Sequence, residues 1–480
     1  MSDQEVLTRR NLARSRGIVL VAFLVNAGLN LLLLGVLTQW GGLDLVGQWS
    51  FLNAILLIVL LADFGITNSL SYRIGRDGVI SVAPHIRTLV LGIIALAVVC
   101  SVVGAFSGHI NAAWGPALAI TILAALAELA SNWLIAIRMG QHEQYWFNVK
   151  TVLRVVLQTA IALLLYQLMP GQAPFAFALA FLLARCAELL LAWFMVRRDL
   201  LLRGSWISPA QIIELTRGFG LLSVTVKGLD PLSRLMISAF AGPVALGVFT
   251  VARRIPAVID QSVSEALRAL LPGMSRLRDG AERTKARTLL AESVAGQLIM
   301  IAPPMVAISI HSDLLFRVWL GQTSPALTIT MSLLLVGTFI NAVTRPFFWT
   351  VQAFGDASKL ARLTFLRVGS TLLLGGSLLW LNGSIEIFGL IFALSQILAG
   401  LLAFRLTNSY DLLARQVIQR LPLPRIILFI LAVVFLNLLL TRAELYLPAP
   451  TSLLIVVFSN AAFVGPVGIY LLRGLKKAVA

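Results

Sequence analysis

Apolar segments of membrane-spanning length recur along this whole chain, and they restrict its fold more than any other feature. A helix needs about 20 apolar residues to cross a bilayer. Only helices and closed barrels satisfy their backbone hydrogen bonds there. Of the 480 residues, 59% are hydrophobic and 12% are charged. The sequence therefore predicts an all-α, polytopic membrane protein.

Fourteen apolar segments can be counted. Lysine and arginine concentrate in alternate links between them, which is the positive-inside pattern of a membrane protein with both termini in the cytoplasm. The net charge of +17 thus follows from topology and does not indicate a nucleic-acid partner. The first segment lacks a cleavage site and is expected to remain as an uncleaved span. The predicted spans are 17–38, 47–70, 86–106, 114–137, 149–168, 174–196, 219–241, 244–271, 289–311, 326–350, 359–381, 385–406, 425–441 and 451–472.

The two halves of the chain share a motif at an offset of 200 residues. Gly42 and Gly47 match Gly242 and Gly247, and in each half the motif joins a first span to a second. A pseudo-repeat of two six-helix bundles, followed by two additional C-terminal helices, explains this spacing and is typical of transporters. The predicted parts are an N-terminal bundle (1–200), a cytoplasmic amphipathic linker (201–217), a C-terminal bundle (218–408) and the extra helices (409–480).

Charged residues interrupt the two spans that flank the hinge Ala241–Pro243. A central charge costs roughly 2.5 to 3.5 kcal/mol, so it usually faces a partner, the bundle interior or a water-filled cavity. Helical spacing places the charges of each span on one face. They indicate either a substrate cavity or ion pairs that hold helices together. The first span carries Lys227, Asp230 and Arg234, and the second carries Arg253, Arg254, Asp260 and Glu265.

Other spans carry isolated polar residues. Arg185 and Glu188 are three residues apart, so they could pair with each other or contact substrate. Arg154 is close enough to the cytoplasmic edge to extend its guanidinium into the interface. The remaining polar positions are Asn30, Asp63, Glu128, Asn132, Asn341, Arg345 and Arg367.

Motifs for nucleotide or metal chemistry are missing from the sequence. It contains neither a GxxxxGK[ST] loop nor an HExxH motif, and its two cysteines lie in apolar runs. No cofactor or metal is therefore expected. A polytopic glycosyltransferase or polymerase would need a substantial outer loop with acidic, basic or metal-binding groups, and the outer links are short. A structural scaffold would need no charged face.

Four stretches resemble the polysaccharide and O-antigen flippase family of the multidrug/oligosaccharidyl-lipid/polysaccharide exporter superfamily. They are Leu43–Arg76, Gly228–Ile255, Leu270–Leu277 and Leu314–Gln322. The resemblance implies a V-shaped pair of six-helix bundles in a bacterial cytoplasmic membrane. It also implies a flippase that moves an undecaprenyl-pyrophosphate-linked oligosaccharide to the outer leaflet, and assembly proteins such as a polysaccharide polymerase as partners.

A pyrophosphate needs cations where water is scarce, and arginine can bind it through two hydrogen bonds. The expected contacts to the pyrophosphate or the sugar in a central cavity are Lys227, Asp230, Arg234, Arg253, Arg254, Arg345, Arg367, Arg185 and Asn30. Arg234 and Arg253 are expected to form a central anion clamp. The sequence departs from the family pattern at Arg253 and Arg254. A rival interpretation is a cation-coupled drug or metabolite antiporter, in which Asp63, Asp260 and Glu265 would bind the coupling ion.

Overall fold

The chain is entirely helical in the part that the structure describes. The computed structural model describes residues 3–77, 114–141, 143, 145–200, 220–268, 283–353, 357–407, 419, 421–443 and 447–479. Eleven helical segments in these ranges are long and apolar enough to cross a membrane. Two of them, Val21–Asp63 and Lys227–Ser264, contain 43 and 38 residues, enough for two crossings each at about 1.5 Å per residue. The predicted third span, 86–106, lies outside the described residues, so the count of fourteen stays a prediction.

The chain divides into two compact units, Met1–Ser238 and Ala239–Ala480. The predicted linker 201–217 lies outside the described residues, and the four predicted domain boundaries stay a prediction. The described residues of the first unit form five α-helices and the beginning of a sixth, which continues into the second unit. These are α1 (Asp3–Leu60), α2 (Ile66–Asp77), α3 (Gly115–Gly140), α4 (Tyr145–Leu168), α5 (Ala173–Leu200) and α6 (Gly220–Arg268).

In the first unit, α3 packs against α5 and α2, and α1 packs against α3 and α4. Ile74 of α2 lies so close to Gly140 of α3 that a Cβ at Gly140 would stand 2.5 Å from the Ile74 Cβ. The chain breaks between α1 and α2 at a 3₁₀ turn, Leu61–Asp63, followed by Phe64 and Gly65 at φ 42° and 76°. Asp63 stabilises the start of α2 after this break by accepting hydrogen bonds from the Thr67 backbone N–H and hydroxyl.

The part of the second unit that the structure describes consists of the end of α6 and eight further α-helices. α9 packs most extensively against α12, while α7 contacts α9 and the last two helices. A π-helical turn, Thr371–Gly375, interrupts the eleventh predicted span. The helices are α7 (Arg283–Ile310), α8 (Ser312–Leu320), α9 (Pro325–Ala353), α10 (Ala357–Ser370), α11 (Gly376–Asn382), α12 (Ile385–Thr407), α13 (Leu423–Ala443) and α14 (Ala449–Val479).

The predicted hinge glycines adopt the same exceptional backbone conformation. Gly42 has φ 70° and ψ −167°, and Gly242 has φ 81° and ψ 178°. This region is essentially restricted to glycine because a Cβ would clash with the backbone. Each glycine therefore kinks a long helix, α1 or α6, where the sequence predicts that one span ends and the next begins.

The correspondence between the units extends to their aromatic cores. In the first unit, Trp49 lies edge-on to Phe177 and Phe181, at centroid distances of 5.2 and 4.6 Å. In the second, Phe249 lies edge-on to two phenylalanines of α12, Phe388 and Phe392, at 5.6 and 5.9 Å. Trp49 and Phe249 are again 200 residues apart. This arrangement agrees with the predicted repeat.

Within the second unit, a polar triad connects the last two helices to His311, which lies between α7 and α8; His311 and Asn437 are buried, and Asn460 is partly buried. His311 Nε2 lies 3.1 Å from Asn437 Oδ1, and Asn437 and Asn460 exchange hydrogen bonds of 3.0 and 2.9 Å. Beside it, α7, α8 and α14 line an open, mainly apolar pocket of about 420 Å³, with Pro303 and Pro304 in its wall.

Candidate functional site

Arginines of three helices surround one carboxylate in the second unit. Asp260 of α6 accepts a hydrogen bond of 2.9 Å from the Asn341 amide and pairs with the Arg345 guanidinium, both on α9. Arg253, two turns earlier on α6, and Arg367 of α10 lie close enough to Asp260 to interact with it electrostatically. We call Arg253, Asp260, Arg345 and Arg367 the arginine cluster.

The arginine cluster carries an excess of positive charge. Three guanidinium groups lie around one carboxylate, so arginines outnumber the acidic side chains that the structure describes there. The Nε atoms of Arg345 and Arg367 are buried and have no hydrogen-bond partner within the described ranges. The Arg345 and Asp260 side chains remain 18% and 28% exposed. The cluster can therefore receive an anion with several oxygen acceptors, because donors and charge are both available.

Arg253 occupies its place in the cluster partly through an aromatic ring. Its guanidinium carbon lies 4.5 Å from the centroid of the Phe392 ring, well inside the range of cation–π attraction. Phe392 is fully buried and is supported by the edge-on Phe249. Arg254, which follows Arg253 on α6, is partly buried.

The predicted residues of the seventh span lie in the first unit. Arg234 donates from Nε to Asp230 Oδ2 at 2.9 Å and from Nη1 to Ser50 Oγ at 3.0 Å, and the contact with Asp230 agrees with their spacing of one helical turn. Lys227 is exposed, and the Asn30 amide donates to the Asn26 carbonyl and side chain. Arg234 and Arg253 belong to different units, so the clamp that they are expected to form stays a prediction.

The first unit also contains a deeply buried network of charged residues. Glu128 of α3 pairs with Arg154 of α4, and its second oxygen accepts from Arg185 Nε of α5 at 2.9 Å. Lys150 of α4 lies 2.9 Å from the Glu188 carboxylate of α5, and both side chains are 1% exposed. The Lys150 ammonium has three donors; besides Glu188, they reach Ser131 Oγ at 3.1 Å and Asn132 Oδ1 at 2.7 Å.

The sequence left two roles open for Arg185 and Glu188, and the structure shows neither of them paired with the other: Arg185 bonds to Glu128 of α3, and Glu188 pairs with Lys150 of α4. One sequence-based prediction about this network is wrong. Arg154 does not extend to the membrane interface, since its guanidinium pairs with Glu128 inside the bundle. The buried position of Lys150 was missed, although Lys150 and Arg154 are four residues apart and therefore share a helical face.

The three acidic residues expected to bind a coupling ion have different surroundings. Asp63 is 6% exposed and accepts hydrogen bonds from the Thr67 backbone and hydroxyl and from Trp133 Nε1. Asp260 belongs to the arginine cluster. Glu265 lies on α6, but its side chain is outside the described part of the structure. Ion coupling by these residues stays a prediction.

Comparisons with known proteins identify both a family and a fold. The profile of a family described as polysaccharide biosynthesis protein matches residues 55–324. No curated protein matches the sequence. Among solved structures, an inward closed conformation of the lipid II flippase MurJ is similar, with a TM-score of 0.68 and 11% identity over 95% of this chain and 97% of that one.

Two further structures belong to transporters of the MOP superfamily, the multidrug/oligosaccharidyl-lipid/polysaccharide exporters. An inward-facing multidrug resistance transporter of the MATE family has a TM-score of 0.60 and 14% identity over 82% of this chain and 96% of that one. A transporter from Pyrococcus furiosus, whose binding pocket is described as having reverse polarity, has a TM-score of 0.55 and 15% identity over 83% and 93%. The predicted superfamily resemblance is thus confirmed at the level of the fold.

Proposed function

Because the chain belongs to the family of polysaccharide biosynthesis proteins, we propose that it flips an undecaprenyl-pyrophosphate-linked oligosaccharide across a bacterial cytoplasmic membrane. The oligosaccharide would be an O-antigen, capsule or exopolysaccharide unit. It moves from the inner to the outer leaflet by alternating access of the two halves. Both termini are then cytoplasmic, and a polysaccharide polymerase is a natural partner on the product side.

The observation that carries this proposal is the excess positive charge of the arginine cluster. A pyrophosphate diester carries about two negative charges, and the three arginines of the cluster, which surround the single carboxylate of Asp260, would attract it. Arginine binds phosphate oxygens through paired, charge-assisted hydrogen bonds, and the buried Nε atoms of Arg345 and Arg367 provide unused donors. An organic cation would instead be repelled by this cluster, which argues against the antiporter interpretation.

The position of the cluster fits loading from the cytoplasm. Arg345 lies eight residues before the end of α9 at Ala353, the end that the predicted topology places inside. Arg367 is about ten residues into α10, which starts from the same side. A group with about two negative charges that then moves outward gains roughly 4 to 5 kcal/mol per 100 mV of membrane potential. The transport direction therefore needs no ATPase.

The test is a flipping assay in reconstituted vesicles with a defined undecaprenyl-pyrophosphate-linked oligosaccharide. Arg345→Ala should reduce the flipping rate at least about tenfold, since a charge-assisted hydrogen bond contributes about 1.5 to 3 kcal/mol. Arg317→Ala is the matched control, because Arg317 is 62% exposed and pairs with Asp313 one turn away. It should flip like the wild type.

Two outcomes would contradict the proposal. One is wild-type protein that moves organic cations against a proton or sodium gradient and leaves the lipid-linked oligosaccharide in place, as an antiporter would. The other is an Arg345→Ala variant that flips at the wild-type rate and is present at the wild-type level. Each measurement should therefore include the amount of correctly inserted protein.

A further inference from the structure

One face of α5 combines large apolar side chains with two arginines, and all of them are exposed. The four apolar side chains are between 45% and 61% exposed, and the arginines that follow them are exposed as well. At 100° per residue, the six positions lie within an arc of about 140°. We call this arc the outer face of α5; it consists of Leu183, Leu190, Trp193, Phe194, Arg197 and Arg198.

The length of α5 places its two arginines at the membrane surface. The 28 residues Ala173–Leu200 extend about 42 Å at about 1.5 Å per residue, whereas the hydrocarbon core of a bilayer is about 30 Å thick. The predicted span ends at residue 196, one position before Arg197. Trp193 thus lies at the edge of the hydrocarbon, where tryptophan is enriched. Arg197 and Arg198 lie among the headgroups, on the side that the predicted topology places in the cytoplasm.

The charged residues at this end of α5 are divided between two sides of the helix. Asp199 lies toward α3, where its carboxylate is 3.5 Å from the Arg138 guanidinium. Arg197 and Arg198 have no acidic partner among the residues that the structure describes. Arg197 instead contacts the Phe194 ring, with its guanidinium carbon 5.4 Å from the ring centroid. The protein therefore supplies a carboxylate to the arginine beside α5, while the two arginines of the outer face are directed to the lipid.

We infer that Arg197 and Arg198 bind the headgroup phosphate of an anionic phospholipid, whose acyl chains lie along the apolar part of the outer face. Arginine binds phosphate oxygens through paired, charge-assisted hydrogen bonds. The Phe194 ring attracts the Arg197 guanidinium and so keeps it beside the membrane surface. A zwitterionic lipid is disfavoured, because its own ammonium group offsets its phosphate. The inference does not depend on the proposed function, since it concerns a lipid of the surrounding bilayer and not the transported molecule.

The test measures contact between Trp193 and brominated phospholipids in vesicles that contain the purified full-length protein. Bromine on an acyl chain quenches the fluorescence of a tryptophan that it touches. The vesicles mix phosphatidylglycerol with phosphatidylcholine, and only one of the two lipids is brominated in each sample. The chain contains ten tryptophans, so every protein is measured with and without Trp193→Phe. The difference gives the quenching at Trp193, and the two samples together give the relative affinity for phosphatidylglycerol over phosphatidylcholine.

The wild-type protein should prefer phosphatidylglycerol at Trp193. Arg197→Gln or Arg198→Gln should lower the relative affinity about fivefold, and the double variant should lower it by up to about 30-fold. The preference should also weaken in about 1 M salt, which screens exposed charges. Both arginines are exposed, so the variants should keep the thermal stability of the wild type, which is measured alongside.

The matched control removes two other arginines from the same predicted side of the membrane. Arg405 lies near the end of α12 and Arg425 near the start of α13, and both are exposed. The variant that combines Arg405→Gln with Arg425→Gln therefore loses the same charge at a distance from the outer face. Its relative affinity at Trp193 should equal that of the wild type.

Four results would overturn the inference. Equal quenching of Trp193 by the two lipids in the wild type would show that the face has no headgroup preference. Absence of quenching by either lipid would show that protein, and not lipid, covers the face. An undiminished preference in the double variant of Arg197 and Arg198 would place the phosphate elsewhere. An equal loss in the control variant would show that the overall surface charge attracts the lipid.

Discussion

The buried pair Lys150–Glu188 should be strongly coupled in stability, and a double-mutant cycle can measure the coupling. The perturbations are Lys150→Met, Glu188→Met and the double variant. Each methionine keeps approximately the length of the original side chain and removes its charge. Either single change leaves the other charged group buried among α3, α4 and α5 with no opposite charge at 2.9 Å.

The magnitude follows from the geometry. At 2.9 Å and an effective dielectric constant of about 20, Coulomb's law gives an attraction of about 6 kcal/mol. Desolvation of both groups offsets much of this, but removal of one partner leaves the other uncompensated and typically costs about 3 to 5 kcal/mol. The double variant leaves no uncompensated charge in the pair and should cost less than the sum of the two single variants. We expect a coupling energy of at least about 2 kcal/mol.

The assay is reversible unfolding of the detergent-solubilised protein by sodium dodecyl sulfate, followed by tryptophan fluorescence. The pair Arg317–Asp313 provides the control cycle. Its side chains are 62% and 47% exposed, and exposed pairs contribute at most about 1 kcal/mol. A coupling energy for Lys150 and Glu188 no larger than that of the control pair would refute the reasoning, since burial would then add nothing to the pair.

Three other predictions concern topology, the hinge and coupling. Gly242→Ala should cost at least about 1 kcal/mol of unfolding free energy, because φ is 81° there. The control is Gly296→Ala inside α7, which has open space around it and should be neutral or slightly stabilising. Equal effects of the two substitutions on unfolding free energy would contradict the predicted hinge. If Asp63, Asp260 and Glu265 bind a coupling ion, neutralising them should flatten the dependence of transport on that ion's gradient, and unchanged dependence in all three would exclude the idea. Accessibility tags should report outside at positions 108, 171, 322 and 382 and inside at positions 140, 204, 280 and 356, and one reversal would refute the fourteen-span topology.

The fold was largely predictable from the sequence because its signals are local. Apolar length defines the spans, and the repeated glycines mark the hinge because few residues other than glycine adopt φ near 70° or 81°. The contact between Asp230 and Arg234 follows from a spacing of one turn. The sequence identifies Asp260 and Arg345 only as polar residues of two different spans. It does not predict their contact, because it does not show which helix faces meet.

The features of the candidate site that the sequence does not predict depend on packing between helices. Spacing suggests partners for Arg185 only on its own helix, yet α3 supplies Glu128 at 2.9 Å. Lys150 lies near the end of a predicted span, where lysine usually reaches water, and only the surrounding helices make it a buried residue. Phe392 lies in an apolar run like any core residue. No local signal in the sequence distinguishes a ring that contacts an arginine from one that contacts a leucine.

The π-helical turn at Thr371–Gly375 affects how this chain can be aligned with its relatives. The Thr371 hydroxyl lies 2.8 Å from the Arg367 carbonyl and 2.7 Å from Ser395 Oγ, so the wide turn is anchored in the helix before it and in α12. A π turn accommodates one residue more than an α-helical turn, which shifts all later positions by roughly 100° around the axis. A relative without the turn would need a one-residue gap here. An ungapped alignment would pair Trp380 and its neighbours with residues that face another direction, while Arg367, before the turn, would stay in register.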